Sequence, residues 1–214
     1  MNKSVYSIVL SDDVVAEIDR LAYREGTSRS NMINQILAQY VSYTTPEKRL
    51  SDIFSKAVEL VESMDQLQVM LQPSDTHLAL KSALRYKYNP TVKYSVELYK
   101  NSDALGELRV TMRTQSRDLI DCMNGFFTLW AAVERSFLAF DPPCSIGAGR
   151  YSRTLRRPET PQTGEALGQA IIDYVETLDK CMKLYFAALP ADSDPTRKIA
   201  QTYKDYMNNN LLLM

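Results

Sequence analysis

The sequence predicts an α+β, mostly helical protein in which a short N-terminal domain precedes a larger one. Hydrophobic residues alternate over residues 3–10, recur at helical spacing along most of the chain, and alternate again between residues 78 and 112. We therefore expect one domain at 1–45 and a second at 46–214, the latter helical with a three-stranded antiparallel meander.

Composition excludes several classes of function. The 214 residues include 25 Lys and Arg against 26 Asp and Glu, a formal net charge of −1, which on its face argues against a nucleic-acid-binding protein. A single histidine, no glycine-rich phosphate motif and no nucleophile–base pair give no support to a metal site, a cofactor or an enzyme. Three separated cysteines and no long apolar run predict a cytoplasmic protein with reduced thiols and no membrane contact.

The first 43 residues predict a strand, a helix, a turn and a second helix. Ser11 is the expected N-cap of the first helix, Gly26 ends it, and Ser28 begins the next. A single strand with two short helices buries too little apolar surface to fold alone, so we expect a second copy to pair with it.

The remaining elements follow from periodicity. Pro46 opens a helix to about Gln72, whose heptad seam fits either a face buried in its own domain or a coiled coil between two chains. Three alternating segments then predict the meander, and an aromatic-rich helix from Ser116 predicts the core. Residues 141–163 are expected to form a long, mobile loop before two final helices.

The N-terminal pattern resembles the ribbon-helix-helix superfamily of prokaryotic DNA-binding proteins, to which the Met and Arc repressors belong. The resemblance rests on the strand KSVYSIVLS, the helix DDVVAEIDRLAYREG and the restart TSRSNMINQILAQY, about a fifth of the chain. It implies that two chains pair their strands into an antiparallel ribbon that enters the major groove of double-stranded DNA.

The resemblance also implies roles for individual residues. The dimer core would contain Tyr6, Ile8, Leu10, Ile33, Ile36 and Leu37. The ribbon face that reads bases would present Val5, Ser7 and Val9. Phosphates would be bound by Lys3, Ser28, Arg29 and Ser30, at the rim of the ribbon and the start of the second helix.

The base-reading face departs from the family pattern, because only Ser7 can form hydrogen bonds there whereas related ribbons commonly carry Arg, Lys, Asn, Gln or Thr. We therefore expect help from DNA shape, from dimers bound side by side, or from a secondary basic surface. The residues expected on that surface are Lys81, Arg85, Lys87, Lys93, Arg109, Arg113, Arg150, Arg153, Arg156 and Arg157. A solvated sheet face and an ordinary loop are the alternatives for these cations.

The functional hypothesis is a homodimeric, sequence-specific transcriptional repressor, associated with a prokaryotic chromosome or plasmid. Residues 46–214 would oligomerise, sense a small effector or bind a protein partner. One alternative is a plasmid or mobile-element accessory factor of the relaxosome or partition type, in which this domain recruits the partner. An antitoxin and a dimerisation module that no longer binds DNA are the others.

Overall fold

Two helices, α1 (Asp12–Arg24) and α2 (Arg29–Tyr40), form the N-terminal unit. The computed structural model describes residues 5–41, 43, 45–70, 74, 76–87, 89–100, 102–191 and 193–210. By internal contacts the chain divides into two compact units, Met1–Arg49 and Leu50–Met214.

The turn between α1 and α2 follows from two residues. Gly26 has a φ of +59°, a left-handed conformation that glycine adopts at little cost. Ser28 then caps α2, since its hydroxyl accepts a hydrogen bond from the amide of Asn31 at 3.3 Å. Ile18 and Met32 pack together with Ala22 in a small core. Both predicted helices are present.

The segment before α1 pairs with no strand among the residues that the structure describes. Residues 5–10 belong to neither a helix nor a strand, and Val5 and Val9 are almost fully exposed. Residues 5–10 therefore do not form the predicted strand in the single chain, because a lone strand has nothing to satisfy its backbone hydrogen-bonding groups. Its first two residues, 3 and 4, lie outside the described residues.

The C-terminal unit contains an antiparallel sheet of six strands in the order β1-β2-β3-β4-β6-β5. The three expected segments pair as β2, β3 and β4, but the sheet is twice the size of the predicted three-stranded meander. The strands are β1 (Gln68–Val69), β2 (His77–Ala83), β3 (Thr91–Leu98), β4 (Ala104–Met112), β5 (Cys144–Gly147) and β6 (Arg150–Arg156).

Four helices bury one face of this sheet. Alternate residues of β2, β3 and β4 share a core with the apolar sides of the helices, and Phe126 and Trp130 lie fully buried within it. The expected aromatic core is thus present. The helices are α3 (Pro46–Glu62), α4 (Arg117–Phe137), α5 (Gly164–Ala188) and α6 (Thr196–Asn209), with a short 3₁₀ helix at Leu189–Ala191.

Two expectations for the C-terminal unit are wrong. Helix α3 ends at Glu62, ten residues before the predicted end, and Leu50, Ile53 and Ala57 of its seam are buried in their own core rather than free for a coiled coil. The predicted loop at 141–163 instead holds the β5–β6 hairpin, whose turn residues Ala148 and Gly149 have positive φ. No helix among the described residues is long and apolar enough to span a membrane.

Candidate nucleic-acid interface

The N-terminal unit exposes most of the apolar residues expected in the dimer core. Tyr6, Ile8 and Leu37 are 83%, 57% and 56% exposed, and Leu10 and Ile36 are exposed as well. Only Ile33 packs partly against the small core of Ile18, Ala22 and Met32. A surface this apolar on a small unit is typical of a protein–protein interface.

The expected base-reading residues all lie in the exposed segment before α1. Val5 and Val9 are 98% and 101% exposed, and Ser7 is exposed between them. None of the three contributes to the small core. Lys3, the expected rim residue, lies outside the described part of the chain.

The N-terminus of α2 combines three features of an anion site. Ser28, Arg29 and Ser30 are exposed, and the first turn of the helix has no acidic residue that would cancel the positive end of the helix dipole. The amide of Asn31 already donates to the Ser28 hydroxyl, whereas the amides of Arg29 and Ser30 precede the first bonds within the helix and are available to a phosphate oxygen.

Arg29 is already engaged within the single chain. Its Nε and Nη2 donate to the two carboxylate oxygens of Asp19 in α1, at 2.6 and 2.5 Å. This two-bond contact holds the pKa of Asp19 below its usual value, chiefly through the hydrogen bonds. The contact fixes the guanidinium near the α2 N-terminus but neutralises its charge, so a phosphate would compete with Asp19 for Arg29.

Four of the ten cations expected on the secondary basic surface are buried or have partners within the chain. Arg153 is fully buried, and its prediction as a surface residue is wrong. Arg109 pairs with Glu97 and Glu107 at 3.3 and 3.0 Å, and Arg156 pairs with Glu159 at 2.6 Å. Arg157 donates to the backbone carbonyls of Tyr99 and Ser102, between β3 and β4, and of Ala104, the first residue of β4. The other six are Lys81, Arg85, Lys87, Lys93, Arg113 and Arg150.

A buried polar network in the core was not expected from the sequence. Arg153 lies 3.1 Å from the carboxylate of Glu134, which also accepts hydrogen bonds from the hydroxyls of Tyr151 and Tyr174 at 2.9 Å each. The guanidinium stacks 4.7 Å from the centre of the Tyr174 ring. Burial raises the pKa of Glu134, against the lowering effect of Arg153 and the hydroxyls. The network is enclosed, which points to a structural role.

Two signals in the sequence could have revealed this network. Arg153 stands between Tyr151 and Leu155 at an inward position of the alternating pattern, and Glu134 interrupts the apolar stripe of α4. An acid and a base at such positions are expected to pair, because an isolated buried charge is costly.

Comparison with known proteins identifies only the N-terminal segment. Residues 7–43 match the family described as ribbon-helix-helix protein, copG family. No curated protein and no solved structure matches the chain. Ribbon-helix-helix proteins bind DNA and dimerise, so the match supports a DNA-binding role. Residues 7–43, which include the helix pair α1–α2, are therefore similar to the copG family of ribbon-helix-helix proteins, while the rest of the chain is assigned to no family.

Proposed function

We propose that the chain is a homodimeric, sequence-specific regulator of transcription, a repressor whose paired N-terminal strands enter the major groove. The observation that carries this proposal is the apolar segment 5–10, exposed and unpaired before two helices that match a DNA-binding family. The working domains are residues 1–45 for DNA and dimerisation and residues 46–214 for assembly, effector or partner binding.

Dimerisation follows from what the single chain leaves uncovered. Pairing residues 5–10 with the same residues of a second copy would satisfy their backbone groups as an antiparallel ribbon. The same step would cover Ile8 and Leu10 with the exposed side chains of Ile36 and Leu37 in α2. Dimerisation would thus both pair the strand and cover the exposed apolar surface.

DNA contact would divide between reading and positioning. Val5 and Val9 would touch thymine methyl groups and Ser7 would supply one hydrogen bond per strand, a weak direct readout. Arg29, Ser28 and the α2 amides would bind phosphates and fix the register without reading sequence. Specificity would therefore depend in part on DNA shape or on dimers bound side by side.

The C-terminal unit favours a regulator over an antitoxin. Antitoxin segments that cover a toxin are commonly short and disordered until bound. Here α3 to α6 and the six-stranded sheet share one extensive core of buried residues. We propose that this unit adds assembly or the binding of an effector or partner to the DNA-binding function. No observation favours the plasmid accessory role over repression.

The test is selection of bound duplexes from a random pool with the full chain, followed by binding of the selected site at several salt concentrations. Arg29→Ala should weaken binding and lower the salt slope by about one per chain, the value for one lost phosphate contact. Arg24→Ala is the matched control, since Arg24 is also exposed on the same unit and contacts an acid, Glu25, at 3.3 Å. Absence of salt-sensitive binding, or equal effects of the two variants, would refute the proposal.

A further inference from the structure

We propose that one end of the C-terminal sheet binds the sugar–phosphate backbone of duplex DNA, without sequence preference, as a second contact beside that of the N-terminal unit. This inference rests on the proposed DNA-binding function but uses a different unit of the chain. We call the surface the basic end; its residues are Lys81, Arg85, Lys87, Lys93, Arg113 and Arg150.

The topology of the sheet brings these residues together. Because neighbouring strands are antiparallel, β2 ends, β3 begins, β4 ends and β6 begins at the same end of the sheet. In the register, Lys81 lies opposite Lys93 and Lys93 lies opposite Thr111. Arg113 follows Thr111 by two residues, and Arg150 precedes the first residue of β6 that pairs with β4. Four separate segments thus contribute to one cationic surface.

The acidic residues of the sheet are excluded from this end. No Asp or Glu occurs in residues 76–96, 108–117 or 142–158. At the opposite end, Glu97 and Glu107 hold Arg109. Within the described part of the chain, none of the six cations of the basic end has an ion-pair partner. Their charge is therefore not compensated by an ion pair with any residue that the structure describes.

The pair Lys81 and Lys93 carries an energetic cost that a bound anion would remove. Residues directly opposite on adjacent strands have Cβ atoms about 5 Å apart, and like charges there destabilise a sheet. Both residues are partly buried, which reduces the screening of this repulsion by water. A phosphate between the two ammonium groups would turn the repulsion into two attractive contacts.

The neighbouring side chains favour a duplex backbone over unpaired bases. Thr91, Ser95 and Thr111 flank the lysines on the same face and offer hydroxyl donors suited to phosphate oxygens. Proteins that bind single strands commonly present aromatic rings for base stacking. The strand residues that share this face, all of them among the described residues, include no Phe, Tyr or Trp.

The test compares two double variants of the full chain. Lys81→Gln with Lys93→Gln removes the central pair, whereas Lys180→Gln with Lys204→Gln removes the same charge from exposed positions of α5 and α6. Binding to the selected duplex and to a scrambled duplex is measured at several salt concentrations, and thermal unfolding is followed in parallel.

We expect the first variant to lower the salt slope by about two per chain and to weaken binding to both duplexes by the same factor, as loss of two phosphate contacts requires. Its unfolding midpoint should stay equal or rise, because a like-charge pair is removed. The control should bind like the original protein. An effect no larger than that of the control overturns the proposal and favours an acidic protein surface as the partner of the basic end.

Two further outcomes separate this inference from the proposed function. A loss confined to the selected duplex would overturn the backbone role, because phosphate contacts do not read sequence. If Arg29→Ala weakens binding and the double lysine variant does not, the basic end is refuted while the N-terminal contact stands. If only the lysine variant weakens binding, the basic end stands and DNA contact through the N-terminal unit is refuted.

Discussion

An aspartate at position 8 tests the proposed ribbon most directly. Ile8 is 57% exposed in the single chain, and pairing would cover that surface in both copies. Fully burying an isoleucine contributes roughly 1.5–3 kcal/mol, so Ile8→Asp would lose about 1–2 kcal/mol per chain in apolar burial alone. Desolvation of the new carboxylate adds a further penalty. With two copies in the interface, the dissociation constant of the dimer should rise roughly 100-fold or more.

The control is the same substitution one residue later. Val9 is 101% exposed and belongs to the opposite face of an alternating strand. By sedimentation equilibrium, Val9→Asp should remain dimeric, whereas Ile8→Asp should be monomeric at the same concentration. Both should lose duplex binding, the first through repulsion of phosphate and the second through loss of the ribbon. A dimeric Ile8→Asp protein, or two variants with equal association, would refute the ribbon and its register.

Two other substitutions and one chemical-modification experiment test further features of the structure. Asp19→Asn removes the charge that neutralises Arg29, so it should tighten duplex binding in a titration at fixed salt; weaker binding would contradict competition between Asp19 and phosphate. Glu134→Gln removes the charge of the carboxylate that pairs with the buried Arg153 and should lower the free energy of unfolding by about 3–5 kcal/mol in a denaturant titration, and a loss below about 1 kcal/mol would contradict this. Burial raises the pKa of Cys181 to about 12, so in native alkylation followed by mass spectrometry at neutral pH it should react last of the three thiols.

The N-terminal helices could be predicted because their limits are encoded locally. Ser28 caps α2 through its own hydroxyl and Gly26 accepts the left-handed turn, so neither signal depends on distant parts of the chain. The strand before α1 is different, since its hydrogen-bond partners would come from a second copy. Alternation in residues 3–10 therefore predicts a strand that residues 5–10 do not form in the single chain.

The sheet was underestimated because its missing strands depend on distant pairing. Strand β6 pairs with β4 across the whole of α4, and no local signal specifies that contact. Arg153 also broke the apolar alternation that would have revealed β6, and its partner Glu134 lies on another element. The length of helix α3 was overestimated instead. Its helical spacing of apolar residues continues in the sequence beyond Glu62, but the helix ends there.

The net charge of −1 conceals how the charges are distributed. Arg109 is neutralised by Glu97 and Glu107 at one end of the sheet, whereas Lys81 and Lys93 lie opposite each other at the other end and form no ion pair with any described residue. A sum over the chain counts both ends alike, but the potential that a phosphate meets depends on the nearest charges, because salt screens those more than about 10 Å away. An overall charge near zero is thus compatible with DNA binding whenever cations and their acidic partners are segregated, as they are along this sheet.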